Sequence, residues 1–444
     1  MNLPRTFCGL VCAMLLPAFF SGAQTVTKIA AGGYHSLFIK SDGSLWVMGD
    51  NGSGQLGDGI LDGSVNRPEE IVPGGVTVIA GGLYHSLFVK NDTSLWVMGA
   101  NANGQLGDGS TNNATLPEMV VTTNVTAIAG GSYHSLFVKT NGSLWAMGWD
   151  NFGQLGDGNP GGQAINMEQI VPTNVVAVAA GQYHSLFLKR DSTLWAMGYN
   201  GVGELGDTTF NNTNRAEQIA TNVTAIAAGY YHSLFLKTNG SLWAMGWNYY
   251  GQLGDGSSGT QTNIPEMIVP GGVTAIAAGY AHSLFLKSDG SLWAMGYNNF
   301  GQLGDGTTNN VATPEMILPG GVAAIAAGYA HSLFLKTDGT LWTMGRNDYG
   351  QLGIGSYTNT NRPVQSGLPG GYNQISLQLL SGGKVLLSFI GNASANYALD
   401  RSFNLAPPNW VPQLTNPANS SGSVVFTNTP NAATNNFWRV RSVP

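Results

Sequence analysis

Along this chain, apolar and polar positions alternate in short runs of four to six residues separated by turn signals, the pattern of strands rather than helices. One stretch shows the unit: Pro265 to Val269, Val273 to Ala278, His282 to Lys287 and Leu292 to Met295, punctuated by Gly279, Ser288-Asp289-Gly290 and Gly296. In the run from His282, the side chains of His282, Leu284 and Leu286 fall on one face and Ser283, Phe285 and Lys287 on the other. Both faces carry bulky apolar groups, so both must be covered.

The same unit recurs seven times, marked by His35, His85, His134, His184, His232, His282 and His331 at intervals of 50, 49, 50, 48, 50 and 49 residues. A period held this closely means one supersecondary unit repeated, which specifies architecture strongly and activity weakly. Four-stranded sheets stacked radially cover both faces and leave no long apolar edge, so the pattern predicts an all-β, seven-bladed β-propeller. The period is lost after Gly371. Strands are predicted there over Ile375 to Leu380, Lys384 to Ile390, Asn396 to Leu399, Ser423 to Asn428 and Phe437 to Ser442. The expected division is a signal peptide over 1–23, the propeller over 24–370 and a small β-sandwich over 371–444.

Composition narrows the setting. Only 9% of residues are charged while 63 of 444 are Gly, so the surface is largely Asn, Thr, Ser and Gly. A formal charge of −6 with no basic run argues against nucleic acid, because phosphate binding needs clustered Lys and Arg. The first 23 residues read as a secretory leader: Arg5 in the n-region, an apolar stretch from Phe7 to Phe20 too short to span a bilayer, and Ser21-Gly22-Ala23 as a small-residue cleavage site. Both cysteines, Cys8 and Cys12, lie inside it, so the mature chain carries no disulfide and no thiol nucleophile. The expected protein is bacterial, monomeric and without a transmembrane segment, and is secreted, periplasmic or on the cell surface after cleavage near Ala23. Asn-x-Ser/Thr triplets such as Asn124-Val-Thr follow from the Asn/Thr/Ser-rich surface and are not taken as glycosylation sites.

Ala-Gly-x-x-His-Ser-Leu, followed by Asp-Gly-Ser-Leu-Trp-x-Met-Gly-x-Asn-x-x-Gly-Gln-Leu-Gly-Asp-Gly, resembles the regulator of chromosome condensation repeat over about Lys28 to Gly370. The diglycine pairs of kelch repeats and the terminal Trp-Asp of WD40 repeats are not what recurs here. The resemblance implies a seven-bladed propeller in a family that ranges from nucleotide exchange factors to secreted β-lactamase inhibitors. Exchange activity in that family depends on an insertion protruding from one blade, and the even repeat lengths leave no room for one. The secreted inhibitors match better in compartment, size and lack of cysteine. The tail, with Leu399-Asp-Arg-Ser, Trp410 and Phe437-Trp-Arg-Val, resembles fibronectin-like modules of secreted bacterial proteins, which implies a spacer or attachment role.

Seven equivalent histidines suggest either a metal-binding ring or, as the preferred reading, a structural side chain bridging backbone groups in each blade. Charges recur likewise: Lys40, Lys90, Lys139, Lys189, Lys237, Lys287 and Lys336 end the second run, Asp58, Asp108, Asp157, Asp207, Asp255 and Asp305 close the Gly-Leu-Gly turn, and Glu69, Glu118, Glu168, Glu217, Glu266 and Glu315 begin the fourth. They are expected as turn caps and inter-blade pairs, which leaves few charges for a catalytic pair. Loops such as Asp305-Gly-Thr-Thr-Asn-Asn lack the alternating carboxylates of a calcium site. In the seventh repeat Ile354 replaces the Asp and Val364 the Glu.

Informative variation lies after Met-Gly, at Asp50, Trp149, Phe152, Tyr199, Trp247, Tyr249, Tyr250, Tyr297, Phe300, Arg346 and Tyr349. Equivalent loops of successive blades meet at one end of a propeller, and Tyr, Trp and Arg dominate binding hot spots. The alternative is that they fill gaps between blades. Gly52, Ser53, Ala100 and Ala102 occupy these places in the first two repeats, which centres any patch on repeats three to seven. The sequence therefore predicts a non-enzymatic binding propeller with no cofactor or metal, engaging a protein or surface glycan through one loop end. A secreted enzyme inhibitor and a carbohydrate-active propeller enzyme are the alternatives.

Overall fold

The computed structural model describes residues 24–366 apart from 62 and 160, together with strands between 376 and 443. The leader at 1–23 lies outside the described residues. Residues 26–365 form seven four-stranded antiparallel meanders, each built from four consecutive strands. In blade 1 these are β1 (Val26–Ala31), β2 (His35–Lys40), β3 (Leu45–Asp50) and β4 (Ser64–Val72). The inner strand lines the axis and the fourth lies outermost. The run Pro265 to Val269, read from sequence as part of the unit at His282, is the end of the outer strand Thr260–Val269 of blade 5. Likewise the repeated Glu sits within the outer strand rather than at its start, because that strand begins several residues earlier against the loop of the preceding blade.

Alternation along the second strand decides how blades stack. His35, Leu37 and Ile39 face blade 2, where Leu37 and Ile39 share a core with Phe88 and Met98. Ser36, Phe38 and Lys40 face the other way, and Phe38 packs with Met48, Ala326, Leu333 and Leu341 across the junction with blade 7. Each blade thus presents His-Leu-aliphatic to the next and Ser-Phe-Lys to the previous one. Burying one Phe and several aliphatic side chains per interface contributes roughly 2 kcal/mol per large side chain.

The histidines exploit this register. His35 Nε2 lies 2.8 Å from Ser86 Oγ of blade 2, and the pattern continues through His85–Ser135, His134–Ser185, His184–Ser233, His232–Ser283 and His282–Ser332 to His331–Ser36. Each serine donates its one hydrogen to the carbonyl of a buried loop residue, as Ser86 does to Gln55 at 2.8 Å. The serine therefore accepts from histidine, so each ring carries its hydrogen on Nε2. Burial holds the imidazoles far below the usual histidine range, to about 4 for His85 and about 3 for the other six. These residues are structural, as expected, but they do not bridge backbone groups: each links its blade to a serine of the next through Nε2, and Nδ1 is buried without a hydrogen-bond partner.

No strand is exchanged to close the ring. Blades 1 and 7 meet through His331–Ser36, through Gly355 N–H donating to Asn66 O at 2.8 Å, and through Val26 N–H donating to Gly339 O at 3.0 Å. Glycine is required where the third strand turns outward: Gly198 has φ +110, and a Cβ there would lie 2.5 Å from the Tyr183 carbonyl.

The repeated lysines are not inter-blade ion pairs. Lys189 Nζ sits 3.8 Å from the Trp195 ring centroid, and all seven lysines cap the tryptophan of their own blade in this way. That ring stacks on Phe187, and its Nε1 donates to Thr193 Oγ1 at 2.9 Å. Lysine ends the second strand because a cation there reaches the indole of the adjacent third strand.

Beyond residue 375 the described strands form two three-stranded sheets, one of Ser376–Leu379, Val385–Ile390 and Ser423–Asn428, the other of Val411–Pro417, Asn396–Ser402 and Phe437–Val443. Five of the six were predicted; Val411–Pro417 was missed because two prolines and an Asn interrupt its apolar pattern. Trp410 lies outside the described residues. Among the described residues, no helix is long and apolar enough to cross a membrane.

Candidate binding face

In a four-stranded meander the loops joining first to second and third to fourth strands emerge at the same end. The third-to-fourth loop begins with an Asn whose side chain organises it: Asn248 Oδ1 accepts from Leu253 N–H at 3.0 Å, and its Nδ2 donates to Asp255 Oδ1 at 2.9 Å. Asp255 in turn accepts from Ser257 N–H at 2.8 Å, the capping role expected of the repeated Asp. Gln252 Oε1 then accepts from Tyr250 N–H at 3.0 Å and tightens the loop tip. With Asn248 and Gln252 turned inward, Trp247 just before the Asn and Tyr249 and Tyr250 between the two are left toward the surface, which puts the variable side chains at this end.

The structure gathers the candidates of blades 3 to 7 into two clusters, one of blades 3 and 4 and one of blades 5 to 7, joined by Tyr231, which meets Tyr199 at 6.4 Å and Trp247 at 5.7 Å. Trp149 meets Phe152 at 5.4 Å between centroids, Phe152 meets Tyr199 of the next blade at 4.9 Å, and Trp247 meets Tyr249 at 5.7 Å and Tyr250 at 5.4 Å. Tyr250 continues to Tyr297 at 4.7 Å and Tyr297 to Phe300 at 6.2 Å. The Arg346 guanidinium lies 5.0 Å from Phe300 and 5.6 Å from Tyr349, with Asp348 paired to it at 2.7 Å. These side chains are half-buried, except for Tyr249, which is 57% exposed. Asp50 stands apart: it accepts from Gln55 Nε2 at 2.8 Å and from Gly52 N–H at 3.2 Å, so it holds its own turn.

The sequence reading missed an inner collar. Tyr34, Tyr84, Tyr133, Tyr183 and Tyr231 directly precede the repeated His, and Tyr230, Tyr280 and Tyr329 stand one place earlier. Tyr280 stacks on Tyr329 at 4.4 Å, Tyr329 on Tyr34 at 5.2 Å and Tyr34 on Tyr84 at 5.7 Å. The outer candidates touch this collar: Trp149 packs on Tyr183 at 5.0 Å, and Trp247 on Tyr231 at 5.7 Å. Burial pushes the Tyr231 phenol up to about 12, so it presents a neutral hydroxyl. A tyrosine in one of the two places before every repeated His was the available signal, read as filler within the motif. Beneath the collar an axial cavity of about 240 Å³ is lined by Ala and Gly of the inner strands and reached by Leu83, Ser132, Tyr230 and Tyr329.

The third-to-fourth loops thus form a hydroxyl-fringed aromatic crescent over five blades, with small residues at the same loops of blades 1 and 2, outside the tyrosine collar. It offers rigid amphipathic area at low cost in rotamer entropy, which suits recognition.

Comparisons with known proteins agree with this architecture. No curated protein matches the chain. Among solved structures, human WBSCR16 superposes with a TM-score of 0.67 at 25% identity over 75% of this chain and 96% of its own. Prp20p from Saccharomyces cerevisiae, described with binding to Gsp1p and histones, gives 0.67 at 22% identity over 76% and 90%. The same yeast protein bound to Kap60 gives 0.64 at 21% over 79% and 86%. The family model described as RCC1-like domain matches residues 13–271 and again 166–387, the near-identical repeats allowing two overlapping placements on one ring. With those matches spanning most of the molecule, the chain belongs to the RCC1-like domain family.

Proposed function

We propose that this chain is a secreted, non-enzymatic binding propeller that engages a protein or a surface glycan through the aromatic crescent of blades 3 to 7. The observation that carries this reading is the continuity, through Tyr231, of half-exposed aromatic side chains from Trp149 to Tyr349, which gathers the residue types of binding hot spots at one end. The protein partners described for Prp20p support protein binding as a use of this scaffold. Burial supports the non-enzymatic part. The carboxyls pushed furthest up, Asp150 and Glu204, are 2% and 0% exposed and lie under the crescent, out of reach of a substrate resting on it.

The test is capture from envelope and culture fractions by the full chain, beside a variant with Trp149, Trp247, Tyr249 and Tyr250 changed to Ala, and the same pair on a glycan array. A ligand held by the parent and lost by the folded variant supports the crescent, and the ligand's identity separates enzyme inhibitor from adhesin. Equal retention by both refutes it.

A further inference from the structure

In six blades the loop described above starts with Asn; blade 3 has Asp150. Asp150 Oδ1 keeps the bond from Leu155 N–H, at 2.7 Å. Its Oδ2 stands where the other blades have an amide donating to Asp, as Asn101 donates to Asp108 and Asn200 to Asp207, both at 2.9 Å. An acceptor therefore faces the acceptor Asp157, and Oδ2 is buried with no hydrogen-bond partner. Blade 4 shows a second exchange of the same kind. Where six blades hold Gln, it holds Glu204, whose Oε2 accepts from Val202 N–H at 3.0 Å while Oε1 is buried and unpartnered. Both exchanges are amide to acid, in adjacent blades, inside the loops that carry Trp149, Phe152 and Tyr199.

We propose that Asp150 and Glu204 make the blade 3–4 sector of the aromatic end responsive to pH, each acid occupying the place of an amide only while protonated. A protonated carboxyl has the shape of the amide and in blade 3 carries a hydrogen toward Asp157; an ionised one leaves two carboxylates facing each other in blade 3 and, in blade 4, a buried charge held on one oxygen only by Val202 N–H. The groups facing Asp150 are Asp157 on its own loop and Glu168 on the outer strand, while Arg215 of blade 4 lies against Gly158. Tyr199 and Tyr231 face Glu204. Burial, then neighbouring carboxylates, push Asp150 up to about 7; burial pushes Glu204 up to about 8. Among the described residues, no group of three or more His, Cys, Asp or Glu is arranged to hold a metal, which favours a proton over a cation in blade 3.

Any consequence for binding rests on the proposed function; the titration does not. The experiment is amide exchange read by mass spectrometry on the full chain and on Asp150→Asn/Glu204→Gln, at about pH 6 and about pH 9, without a partner. Loops 149–158 and 199–206 are expected to exchange faster in the parent already at the lower pH, because each acid, once its loop opens, is ionised there. Between the two pH values the parent-to-variant ratio should grow roughly tenfold, the equivalent of the one pKa unit that remains to be lost between about pH 6 and the folded value. An unchanged ratio overturns the proposal. Slowing of loop 149–158 by calcium in the parent but not in Asp150→Asn overturns it for blade 3 by putting a cation where the proton was placed. Failed ligand capture with titrating loops would refute the proposed function alone.

Discussion

Blades 1 and 2 and blades 3 to 7 share one framework and differ at one end. His85 reaches Ser135 at 2.8 Å much as His184 reaches Ser233 at 2.9 Å, and Lys90 covers Trp96 as Lys189 covers Trp195. At the loop tips, however, Ala100 and Ala102 stand where Trp247 and Tyr249 stand three blades on. A residue that touches the next blade is held by a partner that is itself repeated, so the ring tolerates little change there. The loop-tip residues on either side of the Asn point outward, and a blade keeps its shape whether they are Ala or an aromatic. Departures from the repeat at that end are thus free to serve recognition, whereas departures beneath it, such as Asp150 and Glu204, change the chemistry of a packed loop.

The largest way to break the framework half of this comparison is acid. An imidazole held neutral by burial binds its proton in the unfolded chain first, so its contribution is full above the unfolded value of 6.5 and is lost as pH falls toward about 3. At about pH 5 each histidine costs roughly 2 kcal/mol, and seven together roughly 14, comparable with the whole stability of a domain. Asp150 and Glu204 act with the opposite sign: raised acids weaken the fold as pH rises from their unfolded values toward about 7 and about 8. Stability should peak near neutrality and collapse steeply near pH 5. Tryptophan emission and far-ultraviolet dichroism that stay native at about pH 4 would show that the ring is not what holds the blades.

Single changes in the framework come next. Gly198→Ala puts a Cβ against backbone at a φ of +110 and should cost roughly 3 kcal/mol. His184→Ala leaves Ser233 without its donor and opens a cavity between blades 4 and 5, an expected loss of roughly 2–4 kcal/mol. Denaturant midpoints within about 0.5 kcal/mol of the parent would place both sites outside the cooperative unit.

The difference between the two sets of residues also explains what was legible before the structure. Seven His-Ser-Leu-Phe runs made the blade and its number plain, because period two in the strand and period 50 in the chain are both local facts. Partners across blades were not legible: the lysines read as ion-pair members because charge suggests charge, while the indole that receives each one was hidden as an apolar residue. The crescent was legible as departures from the repeat. The tyrosine collar was not, because its residues recur, moving one place in blades 6 and 7 where Ala281 and Ala330 take the buried position. Asp150 and Glu204 escaped for the reverse reason: Asp for Asn and Glu for Gln look conservative until burial makes one proton decisive.

A milder change tests the tryptophan caps. Lys189→Met removes the cation from Trp195 but leaves the apolar stem, so the loss should be roughly 0.5–2 kcal/mol in denaturant melts. A loss larger than Gly198→Ala would mean that the lysine carries an ion pair after all.

The smallest stability effect belongs to the crescent, and it sharpens the comparison most. Tyr249 is 57% exposed, and its ring meets Trp247 and Tyr250 rather than the blade core, so Tyr249→Ala should change stability by less than about 0.5 kcal/mol. The reciprocal exchange, Ala100→Trp with Ala102→Tyr, should be equally neutral, because in blade 5 the same loop, with Asn248 and Gln252 turned inward, already carries that pair. If ligand capture is lost in the first variant while the second keeps its fold, blades 1 and 2 are bare by choice of partner rather than by demand of packing. If the second unfolds, the small residues there are part of the framework, and the division between a repeated interior and a free loop end has to be redrawn at blade 2.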